Sequence, residues 1–113
     1  MENLIFEWST KIRKNQNIKK WQKMIEGRLN RGLFKELKEG DEIVWKANDD
    51  TCRVKIVKIV PYNTIREMLE KEGIERVLPG FSDIANGINL YRKYYSEQDE
   101  EKFNVIAIKM KKI

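Results

Sequence analysis

The chain has 113 residues, with 23 Lys/Arg against 18 Asp/Glu, one cysteine and no histidine. That length suits one hydrophobic core, so a single domain over residues 1–113 is expected. Without histidine, and with Cys52 alone, Ser–His and Cys–His nucleophilic pairs, an internal disulfide and a typical zinc site are excluded within the chain.

Acid–base work would therefore fall to lysine, glutamate, aspartate or tyrosine. No apolar run approaches the roughly 18 residues of a membrane span, and no signal-peptide pattern opens the chain. A cytoplasmic protein that keeps off membranes and needs no cofactor or metal is expected, with a monomer favoured.

The charge is uneven. Residues 1–40 hold ten Lys/Arg against five Asp/Glu, whereas residues 41–113 balance. A local cationic field attracts phosphates. Trp8 and Trp21 interleave with these basic residues, which suits either base stacking or a core.

Residues 3–8 form a short apolar run, read as the first strand. Residues 11–21 are basic, with Ile12, Ile18 and Trp21 spaced for a helical turn or two. Residues 23–30, Lys-Met-Ile-Glu-Gly-Arg-Leu-Asn, read as a second strand. Its period of two puts Glu26, Arg28 and Asn30 on one face and Ile25 and Leu29 on the other. Burying unpaired charge costs several kcal/mol, so that polar face calls for a water-filled cleft, a ligand or mutual pairing of Glu26 with Arg28.

Leu33 to Leu37 reads as a short helical or irregular piece. Glu39-Gly40-Asp41 is a turn before a strand over 42–47, and Asn48-Asp49-Asp50 turns into a longer strand over 52–60, giving a hairpin. Cys52, Val54 and Ile56 alternate with Arg53 and Lys55, and the apolar phase then slips to Val57 and Ile59, the mark of a bulge. Cys52 is expected to be an inert core thiol.

Pro61 is expected to end that strand. Thr64-Ile65-Arg66-Glu67 fits a capping box, Ile65, Met68 and Leu69 form the buried stripe of the helix, and Gly73 stops it. Leu78-Pro79-Gly80 is a turn. Ser82 or Asp83 caps a second helix with Ile84, Ile88, Tyr91 and Tyr95 on one face. An acidic loop over 97–101 leads to a last strand over 103–110.

Strands, two helices and a closing strand, with no βαβ repeat, argue for an α+β or barrel architecture and against a Rossmann-type sheet. Gly27 and Gly32 are spaced like a phosphate loop but lack the following Lys-Ser/Thr.

Lys23-Met24-Ile25-Glu26-Gly27-Arg28 resembles the Lys-x-x-Glu-x-Arg signature of the ASCH domain family, of the PUA-like superfold. Leu37-Lys38-Glu39-Gly40-Asp41, the stretch from Arg66-Glu67-Met68-Leu69 to Leu78-Pro79-Gly80, Leu90-Tyr91-Arg92 with Tyr94-Tyr95-Ser96, and Val105-Ile106-Ala107-Ile108 extend the resemblance over residues 20–108. Trp21 stands where the family pattern carries glycine.

The resemblance implies an α+β, PUA-like, mixed-strand β-barrel with flanking helices. It also implies a cleft lined by Lys23, Glu26 and Arg28 that binds RNA or a nucleotide, with Lys20 and Asn30 as further contacts. In that cleft Lys23 and Arg28 would meet phosphates, Glu26 an exocyclic amine or ribose hydroxyls, and Asn30 a base edge. Some relatives hydrolyse N4-acetylcytidine and others are assigned ribonuclease activity. As an enzyme, the chain would use Lys23 and Glu26 as catalytic residues, although those amidohydrolases carry threonine at the position of Glu26. They also use a later glutamate, for which Glu70, Glu72 and Glu75 are the choices here. Tyr91, Tyr94 or Tyr95 could lend a hydroxyl.

Overall fold

The computed structural model describes residues 4–7, 25–47 and 50–113. Its strands are β1 (Leu4–Glu7), β2 (Ile25–Leu29), β3 (Glu42–Ala47), β4 (Asp50–Tyr62) and β5 (Val105–Lys112). A 3-10 turn, Gly32–Glu36, follows β2. Four helices lie between β4 and β5: α1 (Ile65–Glu72), α2 (Ile74–Val77), α3 (Ile84–Arg92) and α4 (Glu97–Phe103). The fold is α+β.

The strands make one curled sheet in the order β1-β3-β4-β5-β2, antiparallel except for the β1–β3 pair. It is a half-barrel of the PUA-like kind, and β2, carrying the motif, pairs along β5. The expected helix over 11–21, together with Trp8, Lys20, Trp21 and Lys23, lies outside the described residues.

Alternation divides the apolar side chains between two cores. Trp45, Ile43, Val54, Ile56, Ile106 and Ile108 pack on the inner face of the curl, where the Trp45 indole donates to Met110 Sδ at 2.9 Å. Ile25, Leu29, Val105 and Ala107 face the other way, against Met68 and Leu69 of α1 and Tyr91 of α3. The expected bulge is present: Ile56 pairs with Met110 and Lys58 with Lys109, leaving Val57 as the extra residue. Before the bulge β4 sends Cys52, Val54 and Ile56 into the inner core, and after it Val60 and Tyr62 reach the helix side.

Thr64 caps α1 as expected, while the return bond from Glu67 goes to the residue before the cap. Thr64 Oγ1 accepts from Glu67 N–H at 3.0 Å, and the Glu67 carboxylate accepts from Asn63 N–H at 3.0 Å. Asp83 is the cap of α3, accepting from Ala85 N–H at 2.8 Å. Cys52 is buried, and burial pushes its thiol up.

Three expectations change. Pro61 does not end β4, because it sits in register with Ile106 and the strand runs on to Tyr62. The acidic stretch is helix α4, not a loop: Ser96 Oγ accepts from Asp99 N–H at 3.1 Å, and Glu97, Asp99 and Glu100 fill the first turn, where carboxylates complement the helix dipole. Tyr95 stands beyond the end of α3, although its N–H still reaches Tyr91 C=O at 2.9 Å.

Glu100 ties this helical layer together. It is buried, and its carboxylate accepts from Ile65 N–H and from the Arg92 guanidinium, both at 2.5 Å. One side chain thereby joins the start of α1, the end of α3 and α4.

Candidate nucleic-acid interface

Glu26 and Arg28 project from β2 toward the inner face, as the alternation predicts. Glu26 is 2% exposed. Both Arg28 Nε and Nη2 lie 2.7 Å from the same oxygen, Glu26 Oε2. The guanidinium stacks over the Phe34 ring at 4.9 Å and over the Trp45 ring at 5.4 Å. Burial would lower the Arg28 pKa, but the adjoining Glu26 carboxylate more than offsets this and raises it. The result is a planar cation held rigidly by a carboxylate and two aromatic rings.

Two tyrosines adjoin this pair, both expected on one helix face, of which only Tyr91 lies within α3. Tyr91 and Tyr95 stack with ring centroids 6.3 Å apart. Tyr91 is buried, and its hydroxyl faces the Gly27 backbone without a well-formed hydrogen bond among the described residues. Burial, with the Glu26 charge adding to it, holds the Tyr91 phenol neutral well above its ordinary value. Tyr95 is raised by burial as well, with Arg28 tempering the rise. Arg31 lies over Tyr95 at 5.5 Å and over Phe103 at 5.4 Å, and pairs with Asp99 at 3.2 Å.

Gly27 makes this arrangement possible. A Cβ there would stand 2.6 Å from Met68 Sδ and 2.8 Å from Tyr91 Oη, so the missing side chain is what lets α1 and α3 close against β2. Only the tight packing reveals this role; in the sequence Gly27 is an ordinary strand glycine.

Of the expected site residues, Glu26 and Arg28 are brought together. Asn30 lies just past the end of β2, half-buried, where its backbone N–H donates to Asn104 C=O at 3.1 Å. Lys20 and Lys23 lie outside the described residues. Among the candidate later glutamates, Glu70 and Glu75 are exposed. Glu72 is buried but committed elsewhere, to the Tyr62 hydroxyl and, at 3.0 Å, to Lys109. Tyr94 is exposed. A separate groove of about 440 Å³ runs beside α3, lined by Phe81, Ser82, Asn86, Asn89 and Lys93, and neither Glu26 nor Arg28 lines it.

The ASCH domain profile matches residues 15–113. Two solved structures are similar over almost the whole length. The crystal structure of hypothetical protein PH0355 is 37% identical, with a TM-score of 0.85 over 99% of this chain and 100% of that one. The solution structure of protein PF0455 from Pyrococcus furiosus is 36% identical, with a TM-score of 0.78 over 99% of this chain and 98% of that one. No curated protein matches.

Proposed function

Because the chain belongs to the ASCH domain family, we propose that it binds RNA or a nucleotide through a cleft built on Glu26 and Arg28, with Lys23, Lys20 and Asn30 as further contacts. One observation carries this reading. A carboxylate and a guanidinium are locked together on the inner face of β2, beside two phenols kept neutral by burial. A buried ion pair is weak as a device for stability, since apolar residues of similar volume serve about as well. As a recognition device it is well suited. Glu26 offers a fixed acceptor for an exocyclic amine, Arg28 a planar donor for phosphate, and the tyrosine hydroxyls donors or acceptors for a base edge. Lys23 and Lys20 would add further positive charge for phosphates.

An amidohydrolase or ribonuclease that uses Lys23 and Glu26 is the other reading. The geometry supports it less, because Glu26 Oε2 accepts from two guanidinium nitrogens and is held as an acceptor rather than poised to shuttle a proton.

The test is binding of short single-stranded RNAs rich in cytidine or in uridine, followed by fluorescence anisotropy. Wild-type protein should prefer cytidine, whose exocyclic amine donates to Glu26. Glu26→Gln should erase that preference by about tenfold, or ~1.4 kcal/mol, while Arg28→Lys weakens both RNAs alike. A Glu26→Gln protein that stays folded and keeps the wild-type preference refutes the assignment. Acetate release from N4-acetylcytidine in the same samples, lost in Lys23→Ala, would favour the enzyme instead.

A further inference from the structure

The helices cover only part of their side of the sheet. Over the rest, alternation brings basic side chains to the surface: Arg53 and Lys55 from β4 before the bulge, Lys58 after it, and Lys109 and Lys111 from β5. Lys55 stands directly opposite Lys111, and Lys58 directly opposite Lys109. The bulge is what admits Lys58. In unbroken pairing Val57 would oppose Lys109, and Lys58 would turn toward the inner core.

Like charges placed directly across a ladder destabilise a sheet, and these two pairs stand in succession, offset only by Glu72 at Lys109 and by Glu42 of β3 opposite Lys55. Countercharge is sparse. Arg53 pairs with Glu42 at 3.0 Å and Lys109 with Glu72 at 3.0 Å, and no ion pair reaches Lys55, Lys58 or Lys111 among the described residues. Acidic residues collect instead on the helices, with Glu97, Asp99, Glu100 and Glu101 on α4 alone. The neutral balance of residues 41–113 thus hides a segregation, with a cationic sheet face and an acidic helical layer.

We infer that this cationic sheet face, Arg53, Lys55, Lys58, Lys109 and Lys111, is a second contact surface, which holds the phosphate backbone of a single-stranded RNA. The inference rests on the reading that the chain binds RNA, but it places the backbone on a surface separate from the Glu26–Arg28 cleft. Two rows of cations, about 5 Å apart across the strands and about 6.7 Å apart along them, present a charge array without base-reading groups. Such an array holds a strand by counterion release and leaves sequence choice to the cleft. Exposed Val57 lies on β4 between Lys55 and Lys58 as a small apolar step and has no aromatic ring on which a base could stack.

The test uses the full chain and a labelled uridine 12-mer, which removes any amine preference. Lys55, Lys58 and Lys111 are changed together to glutamine, and association is measured from low to high salt. Each lost phosphate contact on a single strand lowers the slope of log K against log salt by about 0.7, so the triple variant should be shallower by about 2. Its affinity at low salt should fall at least tenfold, with Tm unchanged or raised because the opposed charges are gone. A control with Lys35, Lys38 and Lys102 changed to glutamine should keep most of the slope. A triple variant with the wild-type slope, or a control that loses as much, overturns the inference while leaving the cleft reading intact. Wild-type protein that fails to bind RNA overturns both. If it instead binds phosphatidylserine vesicles through these lysines, the face serves lipid and the inference is wrong.

Discussion

Gly27→Ala is the sharpest test of how the site is assembled. The backbone at Gly27 lies outside the left-handed region, so alanine can adopt it, and the stiffer unfolded chain would by itself stabilise by about 0.4–1 kcal/mol. Packing opposes this. The new methyl would stand 2.6 Å from Met68 Cε and Sδ and 2.8 Å from Tyr91 Oη. Met68 is 0% exposed and Tyr91 3%, so neither can swing into solvent, and overpacking of this kind costs about 1–3 kcal/mol. The net expectation is a loss of about 1–2 kcal/mol, read as a lower urea midpoint, with Tm down by about 4–8 °C per kcal/mol. A second variant locates the cause. Met68→Val lacks both clashing atoms, so the double variant should lose less than the sum of the singles, with a coupling of about 0.5–3 kcal/mol. A Gly27→Ala protein as stable as wild type, or strict additivity with Met68→Val, would refute the close approach of α1 and α3 to β2.

Two further outcomes follow from the buried carboxylates. Glu100→Ala strands both the first N–H of α1 and Arg92, and should cost about 2–4 kcal/mol in chemical denaturation, against less than ~0.5 for exposed Glu101→Ala. Burial would raise the Glu72 carboxyl, but hydrogen bonds from Tyr62 and Lys109 outweigh it and hold it below its ordinary value. Glu72 therefore stabilises the fold above the unfolded carboxylate pKa, and that contribution fades as pH falls through the lower folded value. Glu72→Gln should flatten the acid limb of a Tm-versus-pH curve below about pH 4.5; an unchanged limb would contradict the pairing.

Much of this architecture is written in local pattern. The slip from Ile56 to Val57 and Ile59 foretells the bulge, and Thr64 with Glu67 foretells the start of α1, because each signal depends on neighbours within a few residues. Helix α4 escapes notice because Glu97 to Glu101 is acidic but for Gln98 and shows no apolar period, while its buried carboxylate, Glu100, finds its partners at Ile65 and Arg92. Pro61 misleads for a similar reason: proline is a strand breaker only where its missing N–H is needed. At the site, the pairing of Glu26 with Arg28 follows from their spacing on one strand. The aromatic bed of Phe34 and Trp45 and the contact of Tyr91 with Gly27 do not, since they join residues from other elements.

The position of β5 has a consequence for how the protein is made. It lies inside the sheet, between β4 and β2, and it is the neighbour against which β2 pairs. Gly27 meets Ala107 across that ladder, so the motif strand is synthesised some eighty residues before its partner exists. Closing so long a loop is slow and comes late. On the ribosome, β2 therefore waits without the strand it pairs along, with Glu26 and Arg28 still in water. The Glu26–Arg28 face is among the last parts of the fold to take shape, and a truncated nascent chain that lacks β5 cannot display it.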